Sequence, residues 1–298
     1  MIRLSAFLCL AFIASVVSAA APEPTRIQVN GIELHYISAG AGEPLILLHG
    51  GQGDYRSWEP QMRDLSRRYR VISYSRRYNY PNNNPQTATN HSANVEAADL
   101  VAFIRALKLG SVHLVGTSMG AATALTLAVN HPGMVRSLTI AEPPIIAWAK
   151  DFPDGGALYR DFMQRIHEPA RAAFAAGDET TAMRFIVDGL ATAGRFDSLS
   201  PESRLMVMQN AAFFKMMVRS ENPYPDLSRD KVWRLKMPVL VITGEKTTAM
   251  HREIDGELAR LIPRARSSTI PNAGHGSPRE NAEAFTQVVE NFLATTGL

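Results

Sequence analysis

The sequence predicts an α/β domain with a mostly parallel central sheet flanked by helices. Five apolar runs read as strands buried on both faces: "PLILLHGG" (44–51), "YRVISYS" (69–75), "SVHLVG" (111–116), "VRSLTIAE" (135–142) and "MPVLVITGE" (237–245). Between them fall segments whose apolar residues recur near a 3.6-residue spacing. Strands alternating with helices argue for a parallel sheet covered on both sides. The 298 residues, 46% hydrophobic and 20% charged, are ample for a sizeable core.

The elements follow in chain order. Residues 1–20, "MIRLSAFLCLAFIASVVSAA", have the form of a signal peptide. Arg3 supplies a positive start, Leu4 to Val17 an almost unbroken apolar stretch, and Ser18-Ala19-Ala20 small residues for cleavage. The stretch is short for a membrane span of about 20 residues, which is the competing reading. Cleavage implies export to the periplasm or beyond, and no stable membrane insertion afterwards. Cys9, the only cysteine, lies in this segment, so the mature chain would have no disulfide.

Ile27 and Val29, then Ile32, Leu34 and Tyr36, alternate with polar residues around Asn30-Gly31, a hairpin signal. Helical patterns cover 93–109, 119–132, 250–263 and 279–297, and a weaker strand covers 266–272. From Ile145 to Trp233 there is no convincing buried strand, only helical stretches such as 156–177 and 202–218. The expected organisation is a core domain of residues 25–144 and 234–298. A helical cap, 145–233, is inserted after the sixth strand over the carboxyl edge of the sheet.

Net charge is +3, without Lys/Arg runs beyond pairs such as Arg67–Arg68 and Arg76–Arg77. Nucleic-acid binding is therefore not expected. No metal-ligand spacing, Walker loop or dinucleotide fingerprint stands out, so no cofactor is expected.

"HLVGTSMGAA" (113–122) carries the chemistry. A serine between two glycines at a strand-to-helix corner is lifted out at the top of the sheet. Ser118 is the candidate nucleophile. Met119 would present its free N–H at the helix N-terminus, where negative charge would develop. A hydroxyl also needs a base. Of eight histidines, His275 alone sits in a Gly-flanked loop between the last strand and last helix. His35 and His113 lie within strand patterns and His131 at a helix end, all structural positions.

These motifs, in order, resemble the α/β-hydrolase fold superfamily, from the Asn30-Gly31 hairpin to the C-terminus. "LLHGG" is similar to its oxyanion loop, "GTSMG" to its nucleophile elbow and "PNAGHGSPREN" to its histidine loop. The resemblance implies a Ser…acid…His order, Gly51 as a second oxyanion donor beside Met119, and His49 orienting the loop. It also implies a lid or cap where the helical insertion falls.

The acid departs from the pattern. Many members carry an aspartate after the strand that here reads "PVLVITG", but this chain continues "EKTTAM" with Thr247 at that position. Three readings stand: Glu142, delivered by "LTIAEPP" to the carboxyl edge; Glu245; or no acid at all. Glu142 is favoured. "SYSRRYNYPNNNP" (73–85) also departs from the family's Asp-x-Arg-Gly turn. It is a specificity loop with Arg76 or Arg77 meeting an anion, or, as favoured, a surface loop held by arginine hydrogen bonds. The Met and Phe residues of 206–217 are cap core or a greasy pocket wall.

The expected function is an exported serine hydrolase that cleaves a carboxylic ester or related acyl bond of a small molecule through Ser118, His275 and Glu142. A carbon–carbon bond hydrolase with the same triad, or a ligand-binding, receptor-like relative, is the alternative.

Overall fold

The computed structural model describes residues 23–296, so the expected signal segment lies outside the described residues. Strands β1 (Thr25–Val29) and β2 (Ile32–Ala39) pair antiparallel around Asn30 and Gly31. Both turn residues have positive φ, 48° and 73°, as a two-residue hairpin turn requires. The Asn30 side chain also donates to Ala98 O and Asp99 Oδ1, tying the hairpin to the rest of the core.

Six further strands follow: β3 (Pro44–Leu48), β4 (Arg70–Tyr74), β5 (Val112–Thr117), β6 (Val135–Ala141), β7 (Val239–Gly244) and β8 (Arg266–Ile270). They join one eight-stranded sheet in the order β1-β2-β4-β3-β5-β6-β7-β8. β2 is antiparallel to both neighbours, and every pair from β4 to β8 is parallel. Leu45, Ile46, Leu47 and Leu48 are all fully buried, which accounts for the unbroken apolar run. Ile46 and Leu48 pack on one face of the sheet, Leu45 and Leu47 on the other.

The helices are α1 (Glu59–Leu65), α2 (Ala93–Ala106) and α3 (Met119–Asn130), then α4 (Gly155–Phe162), α5 (Glu168–Ala175), α6 (Glu179–Leu190), α7 (Pro201–Gln209), α8 (Ala211–Arg219) and α9 (Arg229–Trp233). After β7 come α10 (Ala249–Leu261), α11 (Ser277–Glu280) and α12 (Ala282–Leu293). Helices α2, α3 and α10 pack on the face of Ile46, and α1 and α12 on the face of Leu45. Six helices, α4 to α9, thus lie between β6 and β7.

Two expected helices are interrupted. The stretch 156–177 passes through a wider π turn at Met163–His167. Pro169 follows at the start of α5, where its missing N–H removes a regular i→i−4 bond. The stretch 202–218 breaks at Asn210, whose fully buried side chain bonds outside the helix. The last helix breaks at Asn281, which caps α12 by accepting from Ala284 N.

Candidate active site

Ser118 sits between β5 and α3 with φ 51° and ψ −125°. A non-glycine residue there is strained by roughly 1–3 kcal/mol, so the surroundings must impose it. The flanking glycines show how. A Cβ on Gly116 would come within 2.7 Å of the backbone of Gly120 and Ala121, and one on Gly120 would strike the carbonyls of Leu48 and His49. Strand, turn and helix are therefore packed backbone to backbone, and Ser118 projects from the corner. Its own N–H donates to Ala141 O at 2.8 Å. Met119 is the first residue of α3, so its N–H has no acceptor within the helix.

His275, in the loop between β8 and α11, reaches both partners. Its Nε2 lies 3.0 Å from Ser118 Oγ and its Nδ1 2.7 Å from Glu142 Oε2. Glu142 directly follows β6, at φ 51°, and is 1% exposed. Its Oε1 accepts from Gly244 N at 2.7 Å, and its Oε2 also accepts from Thr247 Oγ1 at 2.7 Å. Burial opposes ionisation, but hydrogen bonds from His275 and Thr247, and the charge the histidine can carry, outweigh it and hold the carboxyl at about 2. Glu245 instead accepts from Asn272 N at an exposed position and does not meet His275. Thr247 thus braces the carboxylate at the position where many members of the resembled family have one.

His251 was not among the residues singled out from sequence. Its ring lies 4.3 Å from that of His275 at an interplanar angle of 32°. Burial, and then the positive charge His275 can carry, pull it down to about 3, so it stays neutral. Glu142, His251 and His275 bring their ligand atoms within 4.8 Å of one another. The oxygens of Glu142 and both nitrogens of His275 are already in short hydrogen bonds, so a hydrogen-bonded Glu142–His275 pair with the His251 ring packed beside it describes the trio better than a metal centre.

His49 is fully buried with Nε2 accepting from Arg76 N–H at 3.1 Å, which leaves the proton on Nδ1, 2.7 Å from Gly50 O. Burial and the nearby Arg76 charge lower it to about 3. It holds the turn, as expected. His35 and His113 have structural partners in Asn82 and Ser137, and His131 ends α3.

The loop that carries Gly51 is fixed by residues that sequence reasoning missed. Asn79 Nδ2 donates to Gly51 O and Gly53 O at 3.1 and 3.0 Å, and approaches Asn210 Oδ1 at 3.2 Å. Asn210 Nδ2 donates to Asp54 Oδ2 at 3.0 Å, and Asp54 also pairs with Arg56. The α7–α8 joint therefore clamps the Gly51 loop to the core. If the Gly51 N–H serves as the expected oxyanion donor, Asn79→Ala lowers kcat of the hydrolase about 10- to 100-fold with a smaller change in KM, since loosening a donor by a fraction of an ångström weakens the transition state most. Steady-state kinetics check it.

The segment 73–85 meets the favoured expectation in part: Tyr80, Asn83 and Pro85 are exposed and arginine hydrogen bonds hold the loop, but its start is buried, and neither Arg76 nor Arg77 lines the cavity above Ser118. Arg76 is 1% exposed, 2.5 Å from Glu96 Oε2 and stacked over the Phe213 ring, while Arg77 pairs with Asp99. Asn82 and Asn84 turn inward to bond the backbone of His35 and Glu33 along β2, which draws the loop into the core.

Burial opposes ionisation of Glu96, but Arg76 prevails and holds it at about 2. A carboxyl lowered from 4.5 contributes stability that is full above about pH 4.5 and lost as pH falls toward 2. Glu96→Ala leaves Arg76 buried without its partner and is expected to cost about 3–5 kcal/mol. Thermal unfolding at pH 7 reads this as a fall in Tm of roughly 5–10 °C.

A cavity of about 360 Å³ opens over Ser118 and His275. Val187, Leu190, Val207 and Phe214 roof it from α6 to α8, and Arg195, Arg279 and Glu280 also line it. Of the Met/Phe group at 206–217, Phe214 lines this cavity, while Phe213, Met216 and Met217 pack with Tyr78 and Met119.

Comparison with known proteins agrees with this geometry. Residues 43–282 match the family described as alpha/beta hydrolase fold. A 2-hydroxy-6-oxo-6-(2'-aminophenyl)hexa-2,4-dienoic acid hydrolase of Metapseudomonas resinovorans is 26% identical, over 90% of each chain. The bifunctional epoxide hydrolase 2 of Sus scrofa is 21% identical over 89% of this chain, which spans about half (54%) of that protein's length. Among solved structures, a thermophilic esterase from Thermogutta terrifontis superposes with a TM-score of 0.72 at 24% identity, covering 92% of this chain and 99% of its own. The match over residues 43–282, on this sheet and serine corner, shows that the chain belongs to the alpha/beta hydrolase fold family and is a hydrolase.

Proposed function

We propose that this hydrolase is a serine esterase that cleaves a carboxylic ester, or a related acyl bond, of a small molecule through an acyl-enzyme. The observation that carries the reading is the unbroken chain Ser118–His275–Glu142, at 3.0 and 2.7 Å, beneath the cavity. His275 Nε2 takes the proton from Ser118 Oγ as the oxygen attacks the carbonyl carbon. The N–H groups of Met119 and Gly51 receive the oxyanion. His275 then protonates the leaving alcohol, and a water activated by the same ring releases the acid. Glu142 holds the imidazole by Nδ1 and offsets its charge. Gly244 and Thr247 fix Glu142.

The epoxide hydrolase among its relatives does not transfer its reaction. A serine opening an epoxide would form an ether, which His275 and water could not cleave. A ligand-binding reading depended on a missing acid, and Glu142 stands hydrogen-bonded to His275. Carbon–carbon bond hydrolysis is the second reading, since Arg195 and Arg279 beside the cavity suit an acidic substrate such as that of the Metapseudomonas relative. Assay of p-nitrophenyl esters from acetate to octanoate beside a vinylogous 1,5-diketone acid separates them. Turnover of the esters alone supports the esterase, and turnover of the diketone alone overturns it.

Export belongs to the same proposal: residues 1–20 would be removed and the enzyme would act in the periplasm or outside the cell. N-terminal sequencing of exported protein tests this. A terminus near Ala21 supports it, and a retained Met1 contradicts it.

A further inference from the structure

A second, smaller cavity of about 40 Å³ lies on the other side of Ser118. It shares Ser118, Leu190 and Phe214 with the larger cavity. The two differ where it matters for chemistry. His275 lines the larger one and Met119 the smaller one. On the esterase reading, the group that His275 protonates leaves from the larger cavity. The acyl chain then occupies the smaller one, and this inference rests on that reading.

Phe162, Ile166, Ile186 and Val218 make most of the small cavity apolar. Besides Ser118 and Tyr224, two imidazoles break that character, His251 and His167, 1% and 6% exposed. Each has a buried ring nitrogen without a hydrogen-bond partner, Nε2 of His251 and Nδ1 of His167. The other nitrogen of His251 lies 2.9 Å from Thr248 Oγ1, which fixes the ring. Buried polar atoms are almost always paired, so two unpaired ones on residues that line one small pocket point to a polar ligand group there.

We propose that His251 and His167 determine specificity for a short acyl chain that bears a hydroxyl group. The volume sets the length. At about 10–15 Å³ for each water-sized group, the pocket takes roughly three heavy atoms beyond the carbonyl. The chemistry sets the hydroxyl. Both rings are kept neutral by burial, and a neutral imidazole offers one donor and one acceptor. A hydroxyl donates once and can also accept, so it can bond both nitrogens whenever at least one of them carries the proton. A carboxylate can only accept, and neither lysine nor arginine lines this cavity. An unsubstituted chain would fill the space and leave both nitrogens unpaired, the situation in which sites discriminate most strongly. The two histidines are positioned to touch substrate, not to exchange protons with Ser118.

The test compares kcat/KM for p-nitrophenyl lactate and p-nitrophenyl propionate in the wild type, His251→Phe and His167→Phe. Phenylalanine keeps the ring and removes the nitrogens. The lactate-to-propionate ratio, corrected for spontaneous hydrolysis, is expected to exceed about 100 in the wild type and to fall at least tenfold in each variant. A ratio near one in the wild type, or one unchanged in both variants, overturns the proposal while leaving the esterase reading intact. If neither ester is turned over, the esterase reading fails by itself. The pocket is then read in Ser118→Ala protein by the imidazole 15N shifts during titration with ethyl lactate and ethyl propionate. Shifts of both rings with ethyl lactate alone support the pocket's selectivity, and equal or absent shifts overturn it.

Discussion

Ser118→Ala is expected to lower kcat for p-nitrophenyl ester hydrolysis about 10⁵- to 10⁶-fold, with Tm near that of the wild type. In the proposed mechanism the serine oxygen forms the covalent bond, and no neighbouring group can take its place. The residual rate would come from the oxyanion donors and from binding alone, worth about 10³–10⁴ over water. The fold should tolerate the change because alanine has the same Cβ and meets the same strain at φ 51°. Neither the bond from Ser118 N to Ala141 O nor that from Ala122 N to Ser118 O involves the side chain. Assay beside thermal unfolding checks both halves. Loss of activity with loss of fold would not support the assignment, and retained activity would refute it.

Glu142→Gln carries the second-largest effect, a loss of about 10³–10⁴ in kcat. The wild-type carboxylate accepts from three donors: Gly244 N–H, Thr247 O–H and His275 Nδ1–H. A glutamine has one acceptor oxygen and an NH₂ group. If the oxygen faces Gly244, the amide hydrogens confront His275 Nδ1 and favour the wrong tautomer. If it faces His275, the NH₂ group confronts the Gly244 N–H in a site that is 1% exposed. Either way the negative charge that offsets the imidazolium is gone. The control is Glu245→Gln, which touches only the bond to Asn272 N and should stay within about twofold of wild type. Because Glu142 sits at about 2, the wild type should show no activity limb from it above about pH 4.

Much of this was legible because local signals and topology agree. Asn30-Gly31 could only turn one way, and the doubly buried β3 to β7 read as unbroken apolar runs. Gly116 and Gly120 marked the serine corner by the contacts that exclude a Cβ. Glu142 could be favoured as the acid because an apolar strand ends at it. What escaped depends on partners distant in sequence. Asn79 and Asn210 are 131 residues apart, and each alone reads as a loop or helix asparagine. Arg76 looks like half of an exposed basic pair until Glu96 and Phe213 close over it. His251 occupies the first turn of an amphipathic helix, and only the fold lays its ring against His275. Helix α6 is readable from local signals, since Asp178 stands at its start as a cap and Ala182, Met183, Ile186 and Val187 form one buried stripe, and Pro60 likewise marks the start of α1.

The central claim is that Ser118 becomes acylated. It is tested most directly by rapid mixing of enzyme with p-nitrophenyl acetate, followed by acid quench and mass analysis of the peptide that contains Ser118. The account predicts a burst of one p-nitrophenolate per active site, and an acetyl group on Ser118 that is absent from Ser118→Ala protein. Ester turnover in that variant at a rate near that of the wild type, or an acetyl group found on another residue and none on Ser118, would contradict it.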